Sequence, residues 1–400
     1  MNNCIYIISI LNNSANTNCS WPFFLYDFMN FSNYFTHKPG GDRIFSVEAP
    51  KIKFGRGSLH EVGDDAKALG MSRVAVFTDS VVAELEPVSK VVESLKSRGL
   101  DVVVYNQVTV EPTDISFKQG SKFASDGKFD GFVSVGGGSV MDTCKASNLY
   151  SCYPADFLDY VNAPIGKAMP VPGQLKPHIA CPTTFGTARE CTGIAIFDLL
   201  EMEAKTGIVN PFIRATLGVL DPSVLGSLPP LVRAANGFDV FSHACESMTA
   251  RPYTHRPAPE SSQKRPLSQG ANPYSDVACL ESIKLVGSHI VRAVNAPTEE
   301  DFDALMFAGM LAGIGFGNAG CHLPHGMSYA VAGLVKDYAP EGWPSDHSMV
   351  PHGISVIVNS PAVFRKTGPA CAERHWKAAD AMGADLRDKK IEDSGNILAD

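Results

Sequence analysis

A chain of 400 residues is too long for one typical core, so two domains of about 150 to 200 residues each are expected. With 44% hydrophobic and 19% charged residues the composition is that of a globular protein, and a formal net charge of -8 without any Lys- or Arg-rich face speaks against a nucleic-acid partner. Ten cysteines without a C-x-x-C pair favour reduced thiols over a disulfide framework or zinc ribbon, and the apolar runs are too short to suggest a transmembrane helix or a membrane partner.

Residues 1–47 are rich in Asn and aromatics, with no Lys or Arg before Lys38. A transit peptide is Arg-rich and a secretory signal starts basic, so this segment reads as a poorly ordered extension. From residue 48 to 229 short β-branched runs alternate with amphipathic stretches. "RVAVFTD", "DVVVYNQ" and "GFVSVGGGS" predict buried strands, and "VVAELEPVSKVVESLKSRG" and "DISFKQGSKFASDGK" predict helices between them. That alternation implies an α/β domain, Rossmann-like, with a parallel sheet. After "LGVLDPSVLGSLPP" the strand signals stop, and "LVRAANGFDVFSHACESMTA", "DVACLESIKLVGSHIVRAVN" and "EEDFDALMFAGMLAGIGFGNAG" carry helical spacing. An all-helical domain is therefore expected over residues 230–400, interrupted by a Pro-rich insertion at 251–273.

"GFVSVGGGSVMDTCKAS" is a strand, a glycine turn and a helix start. Gly136, Gly137, Gly138 and Ser139 would cradle a pyrophosphate on free N–H groups at the positive end of a helix; a plain tight turn is the alternative. The pattern is not G-x-G-x-x-G and follows a late strand, so the usual dinucleotide fingerprint is absent. Asp142, further into that helix, is assigned to the same cofactor site. Asp79, at a strand end, either accepts ribose hydroxyls, which would favour NAD, or caps a turn. In "PHIACPTTFGTARE", Thr183, Thr184 and Thr187 are placed to bond phosphate or nicotinamide, unless they only build a turn.

In "NGFDVFSHACES" Asp239 and His243 are one helical turn apart and leave the same face, half of a site for Zn(II) or Fe(II). The remaining ligands must come from distant histidines, and "CHLPHG" with His322 and His325 and "MVPHG" with His352 supply candidates. One Asp and three neutral imidazoles leave a divalent ion with net positive charge, able to polarise an alcohol oxygen.

Taken together, "FGRGS", "VFTDS", "GGGSVMDTCKA", "PTTFGTARE", "GFDVFSHACES", "GFGNAG", "HGMSY" and "VPHG" resemble, in order, the iron-dependent (group III) alcohol dehydrogenases from about residue 48 onward. "EPTDISF", "DFLDYVNAPIGK", "GIAIFD", "QGANPYSD" and "MVPHGISVIVNSPAVF" are similar to one branch, the hydroxyacid-oxoacid transhydrogenases. The resemblance implies a dinucleotide-binding domain, a helical metal-binding domain and an active site between them. By family position the metal ligands are Asp239, His243, His325 and His352, with Fe(II) or Zn(II) as the ion, and Lys205 lies near the cofactor. It implies oxidation of 4-hydroxybutyrate to succinic semialdehyde, coupled to reduction of 2-oxoglutarate to D-2-hydroxyglutarate through a retained NAD. It also implies a mitochondrial setting and a homo-oligomer.

Substrates with a distal carboxylate want a cation; Arg256 and Arg265 in the insertion are the favoured candidates, beside Arg189 and Lys336. Many family members place a second histidine where this chain has Tyr329, so Tyr329, His322 or His347 is expected to relay the proton. Ala188 and Arg189 replace a Gly-Ser pair of close relatives, and the helical domain is expected to be truncated. The alternatives are an ordinary NAD-dependent alcohol or polyol dehydrogenase and an inactive truncated paralogue.

Overall fold

The computed structural model of the chain describes residues 38–335, 337–340 and 349–400. Residues 1–37 of the expected extension, Lys336 and His347 lie outside the described residues. Where the expected extension is described it is tied down: Gly41 bridges to Pro257, Asp42 pairs with Arg265, and the Ser46 N–H donates to Gln269 Oε1 at 2.8 Å. The expectation of poor order therefore fails for residues 38–47, because the Pro-rich insertion supplies partners too distant in sequence to anticipate.

The α/β half runs β1 (Lys51–Phe54), α1 (Val62–Ala68), β2 (Arg73–Asp79), α2 (Glu86–Ser97), β3 (Asp101–Val108), α3 (Asp114–Gly127), β4 (Gly131–Gly136), α4 (Gly138–Cys152), β5 (His178–Pro182), β6 (Ile194–Leu199), β7 (Ala204–Val209) and β8 (Leu217–Leu220). Six strands form one sheet in the order β1-β8-β5-β4-β2-β3, and every pair in it is parallel. β4 and β5 are buried at every position, which is why their sequences run apolar without alternation; β3, at the sheet edge, exposes about half of its residues. α2 buries Val88, Val91 and Leu95 along one stripe, and α3 starts where Thr113 accepts the Ser116 N–H.

Register sets up the site. Gly136 pairs with Pro182, and the Thr183 N–H donates to Gly136 O at 3.0 Å. The glycine turn after β4 and the threonine loop after β5 therefore leave the sheet side by side, at the strands' carboxyl ends, where open α/β sheets bind ligands. The antiparallel hairpin β6–β7 lacks a sequence signal, since the turn "LEME" has none of the usual turn residues and Glu203 itself adopts a left-handed φ of 48°.

The helical half follows as α5 (Pro230–Thr249), α6 (Pro273–Asn295), α7 (Glu299–Ala319), α8 (Leu323–Leu334), α9 (His352–Ile357), α10 (Ser360–Thr367), α11 (Ala372–Met382) and α12 (Ser394–Ala399). α5 is buried continuously from Asp239 to Thr249. The insertion between α5 and α6 is irregular, with two short 3-10 turns, as its prolines require. α7 opens on a capping box between Thr298 and Asp301. By length and composition it is apolar enough to cross a membrane, against the sequence expectation; yet 67% of its most apolar window is buried inside the protein, as for a core helix.

Candidate metal centre and active site

Asp239 and His243 project from one face of α5 into the protein, 2% exposed each. His325 enters from the third residue of α8, whose first turn contains Pro324. His352 is the first residue of α9 and reaches the same point because Gly353 lets that helix touch α5: a Cβ there would stand 1.9 Å from Ala235 O. Asp239 Oδ1 lies 3.6 Å from His243 Nδ1, 3.4 Å from His325 Nε2 and 3.7 Å from His352 Nε2. Phe316 stacks on His243 at 4.0 Å between ring centroids and fixes that ring's plane.

Asp239 Oδ1, His243 Nδ1 and His325 Nε2 are buried and, among the described residues, without a hydrogen-bond partner. Three orphaned polar atoms facing one another inside a protein are costly unless something binds them, and an oxygen and two imidazole nitrogens are the donors a divalent transition ion takes. The residues fit a metal. Burial opposes the charge on Asp239, but His243, His352 and His325 hold its carboxyl well below the usual range, and burial keeps His243 neutral, as a ligand must be.

Glu246, fully buried one turn beyond His243, was not singled out in the sequence. Its Oε1 lies 2.6 Å from His325 Nδ1 and its Oε2 accepts the His322 N–H at 2.6 Å. The signal available was the spacing Asp239, His243, Glu246, one helix face about two turns long.

The metal-ligand cluster opens into a cleft of about 180 Å³ whose other wall is the α/β half, through Gly138, Ser139, Asp142, Thr187 and Arg189. A Cβ on Gly138 would meet Thr187 Oγ1 and Cγ2 at 3.0 Å, so the helix start and the threonine loop approach closely there. Thr187 Oγ1 and Asp142 Oδ1 are buried and unpartnered, while Asp142 Oδ2 accepts from the Ile196 N–H and from Arg189 Nε. Gly136, Gly137, Thr183 and Thr184 build the two adjoining turns, with Thr184 3.5 Å from the position of a Cβ on Gly137. Ser139 Oγ accepts the Glu111 N–H.

Other candidates are engaged elsewhere. Asp79 Oδ1 accepts the Val81 and Val82 N–H groups, a turn cap. Lys205 lines the cleft but is clamped by Glu111 at 2.8 Å and Asp198 at 2.9 Å. Arg256 donates to Ser268 O and Arg265 forks onto Asp42, so neither favoured cation is directed at the cleft; both hold the insertion together. His322 Nε2 meets Thr249 Oγ1 at 2.8 Å, and that hydroxyl donates to Cys245 O; the imidazole thus serves as donor in a structural bond and is absent from the cleft wall. Tyr329, four residues after His325 on α8, lines the cleft and is 40% exposed.

A parallel sheet ending in a glycine turn at a helix start, facing a helical half that gathers one carboxylate and three imidazoles, is the arrangement of a metal-dependent oxidoreductase. The chain belongs to the iron-containing alcohol dehydrogenase family: residues 49–222 match that family and residues 267–398 match the Fe-containing alcohol dehydrogenase family, C-terminal region. Among relatives, the mitochondrial hydroxyacid-oxoacid transhydrogenase of Xenopus laevis is 50% identical over 362 residues, covering 90% of this chain and 78% of its own. The Mus musculus protein of the same name is 44% identical over 402 residues, covering 98% and 85%. Among solved structures, a 1,3-propanediol oxidoreductase superposes with a TM-score of 0.77 at 25% identity, over 89% of this chain and 85% of that one. The alcohol dehydrogenase from Oenococcus oeni gives 0.76 at 26% identity, over 89% and 85%.

Proposed function

We propose that the chain is a hydroxyacid-oxoacid transhydrogenase, transferring a hydride from 4-hydroxybutyrate to 2-oxoglutarate through a nicotinamide that stays in the cleft between a dinucleotide-binding domain (48–229) and a metal-binding domain (230–400). The observation that carries this reading is that His243, His325 and His352, gathered around Asp239 Oδ1, line the same cleft as Gly138 and Thr187. The names of the relatives support a hydroxy acid and an oxo acid as the substrate classes and favour a mitochondrial setting.

Asp239, His243, His325 and His352 would hold a divalent ion, which would supply Lewis acidity, and Gly138, Ser139 and Thr187 would help hold a nicotinamide cofactor, which would supply the hydride carrier. The chain's own residues do the rest. Glu246 accepts from His325 Nδ1 and so keeps Nε2 turned inward. Among the described residues the Thr187 hydroxyl has no partner, and Val140 N–H and Met141 N–H turn back to Gly137 O, which leaves the N–H groups of Gly138 and Ser139 to hold the cofactor's polar groups. Arg189 takes the role first sought in Arg256 and Arg265: its Nε rests on Asp142, and among the described residues its terminal nitrogens have no hydrogen-bond partner while its side chain borders the cleft. A guanidinium so held presents two N–H groups to a substrate carboxylate. Tyr329 is the hydroxyl on the cleft wall able to pass a proton, and it also borders an adjoining cavity of about 380 Å³.

The test is incubation of metal-loaded protein with 4-hydroxybutyrate and 2-oxoglutarate and no added nucleotide. Formation of D-2-hydroxyglutarate is expected. Turnover only on adding NAD would make the chain an ordinary dehydrogenase, and silence in both conditions would overturn the reading.

A further inference from the structure

Cys321 stands two residues before α8 on the cleft wall, partly buried. Its Sγ and one ring nitrogen each of His243 and His325 all lie within 4.8 Å of one another, the spacing of donors around a single ion. Asp239, His325 and His352 form a second such group, so His325 is common to both. Among the described residues His243 Nδ1 and His325 Nε2 are buried and unpartnered, a second observation that a ligand belongs beside the thiol. The remaining buried thiol on α5, Cys245, does not share this position: it is grouped with none of the ligand histidines and takes part in the core with Cys279.

We propose that Cys321 is a further ligand of this metal site, binding the ion as a thiolate from the side of His243 and His325. This rests on the metal centre proposed above. Bond formation is a substitution without redox change: the sulfur–metal bond forms as the S–H bond breaks, and the proton leaves to solvent. Adding a thiolate to one carboxylate and three neutral imidazoles brings a divalent ion's net charge to zero. A thiolate beside imidazole donors is a set that Zn(II) accepts.

The experiment is optical spectroscopy of the full chain loaded with Co(II), read without turnover. Wild type is expected to show visible d–d bands together with a near-ultraviolet thiolate-to-cobalt charge-transfer band. Cys321→Ser is expected to lose the charge-transfer band and keep the d–d bands, and Cys321→Val, run beside it, guards against a folding defect in either variant. Cys152→Ser, altering a thiol at the far end of α4, is expected to leave both features in place. If wild type shows d–d bands alone, or if the charge-transfer band survives in both Cys321 variants, the thiolate is overturned while the Asp and His set stands. If cobalt gives no d–d bands at all, the metal centre and the thiolate fall together.

Discussion

Glu246 Oε1 stands 2.6 Å from His325 Nδ1, and this contact decides which nitrogen of His325 faces the metal position. With Nδ1–H given to the carboxylate, Nε2 is left as the lone-pair donor 3.4 Å from Asp239 Oδ1. Replacing Glu246 by Gln preserves volume but lets the ring flip or adopt the other tautomer. Metal affinity is expected to fall roughly 10- to 100-fold, measured by competition with a chelator. An unchanged dissociation constant would show that His325 is oriented by packing alone.

Gly353 brings a backbone, rather than a side chain, into the centre. Its substitution by Ala would drive a methyl into Ala235 O, 1.9 Å from the Cβ position, and push α9 off α5 with His352 at its head. Overpacking of this kind costs about 1 to 3 kcal/mol, and here it also withdraws one ligand. The expected outcome is a lowered melting temperature with weakened metal binding. A variant that melts lower but binds metal like wild type would remove His352 from the ligand set.

The strands β2, β3 and β4 and the long helices were legible because each carries its own periodicity and its own punctuation. Asp239 and His243 were legible for the same reason, being one helical turn apart. The β6–β7 hairpin was hidden because its turn lacks the usual residues, and the anchoring of residues 38–47 because their partners lie more than 200 residues away, as in the contact of Ser46 with Gln269. Arginines in the insertion looked available in sequence and are consumed by Asp42 and Ser268 in the fold. A charged side chain's availability depends on who else is near, and sequence spacing does not report that. Glu246 was legible in principle, as the third member of the α5 face, but a carboxylate that acts through a histidine has no pattern of its own.

Arg189 rests on Asp142 at the cleft wall and, on the proposed reading, would also hold the substrate carboxylate, so its charge and its shape can be separated by substitution. Arg189→Lys keeps the charge beside Asp142, avoiding a buried unpaired carboxylate, but gives up the planar fork. Charge-assisted hydrogen bonds are each worth about 1.5 to 3 kcal/mol, so KM for the carboxylate substrates is expected to rise about tenfold or more. KM for an uncharged primary alcohol is expected to stay within about twofold of wild type, because on this reading that substrate never uses the fork. Equal rises for both substrates in steady-state assays would relocate Arg189's contribution to cofactor binding or to the wall itself.

His178, on β5 in the middle of the sheet, gives the fold a dependence on acid that is independent of the metal. It is 2% exposed with Nε2 2.8 Å from Ser134 Oγ, and burial, with Lys145 nearby, lowers its pKa from 6.5 to about 3. The folded state therefore binds fewer protons here than the unfolded chain. The contribution is fully present above 6.5 and is lost as pH falls from 6.5 toward 3, at up to about 1.4 kcal/mol per pH unit. Burial lifts Glu190 to about 7, which acts in the opposite sense: its contribution is present at low pH and is lost as pH rises through 7. Comparing wild type with His178→Gln cancels Glu190 and every other shared group. Urea unfolding at about pH 7 and about pH 5 is expected to show the variant losing less stability between the two than wild type does. Equal losses would mean that the histidine is protonated in the folded sheet, with Ser134 and the surrounding backbone accommodating the charge.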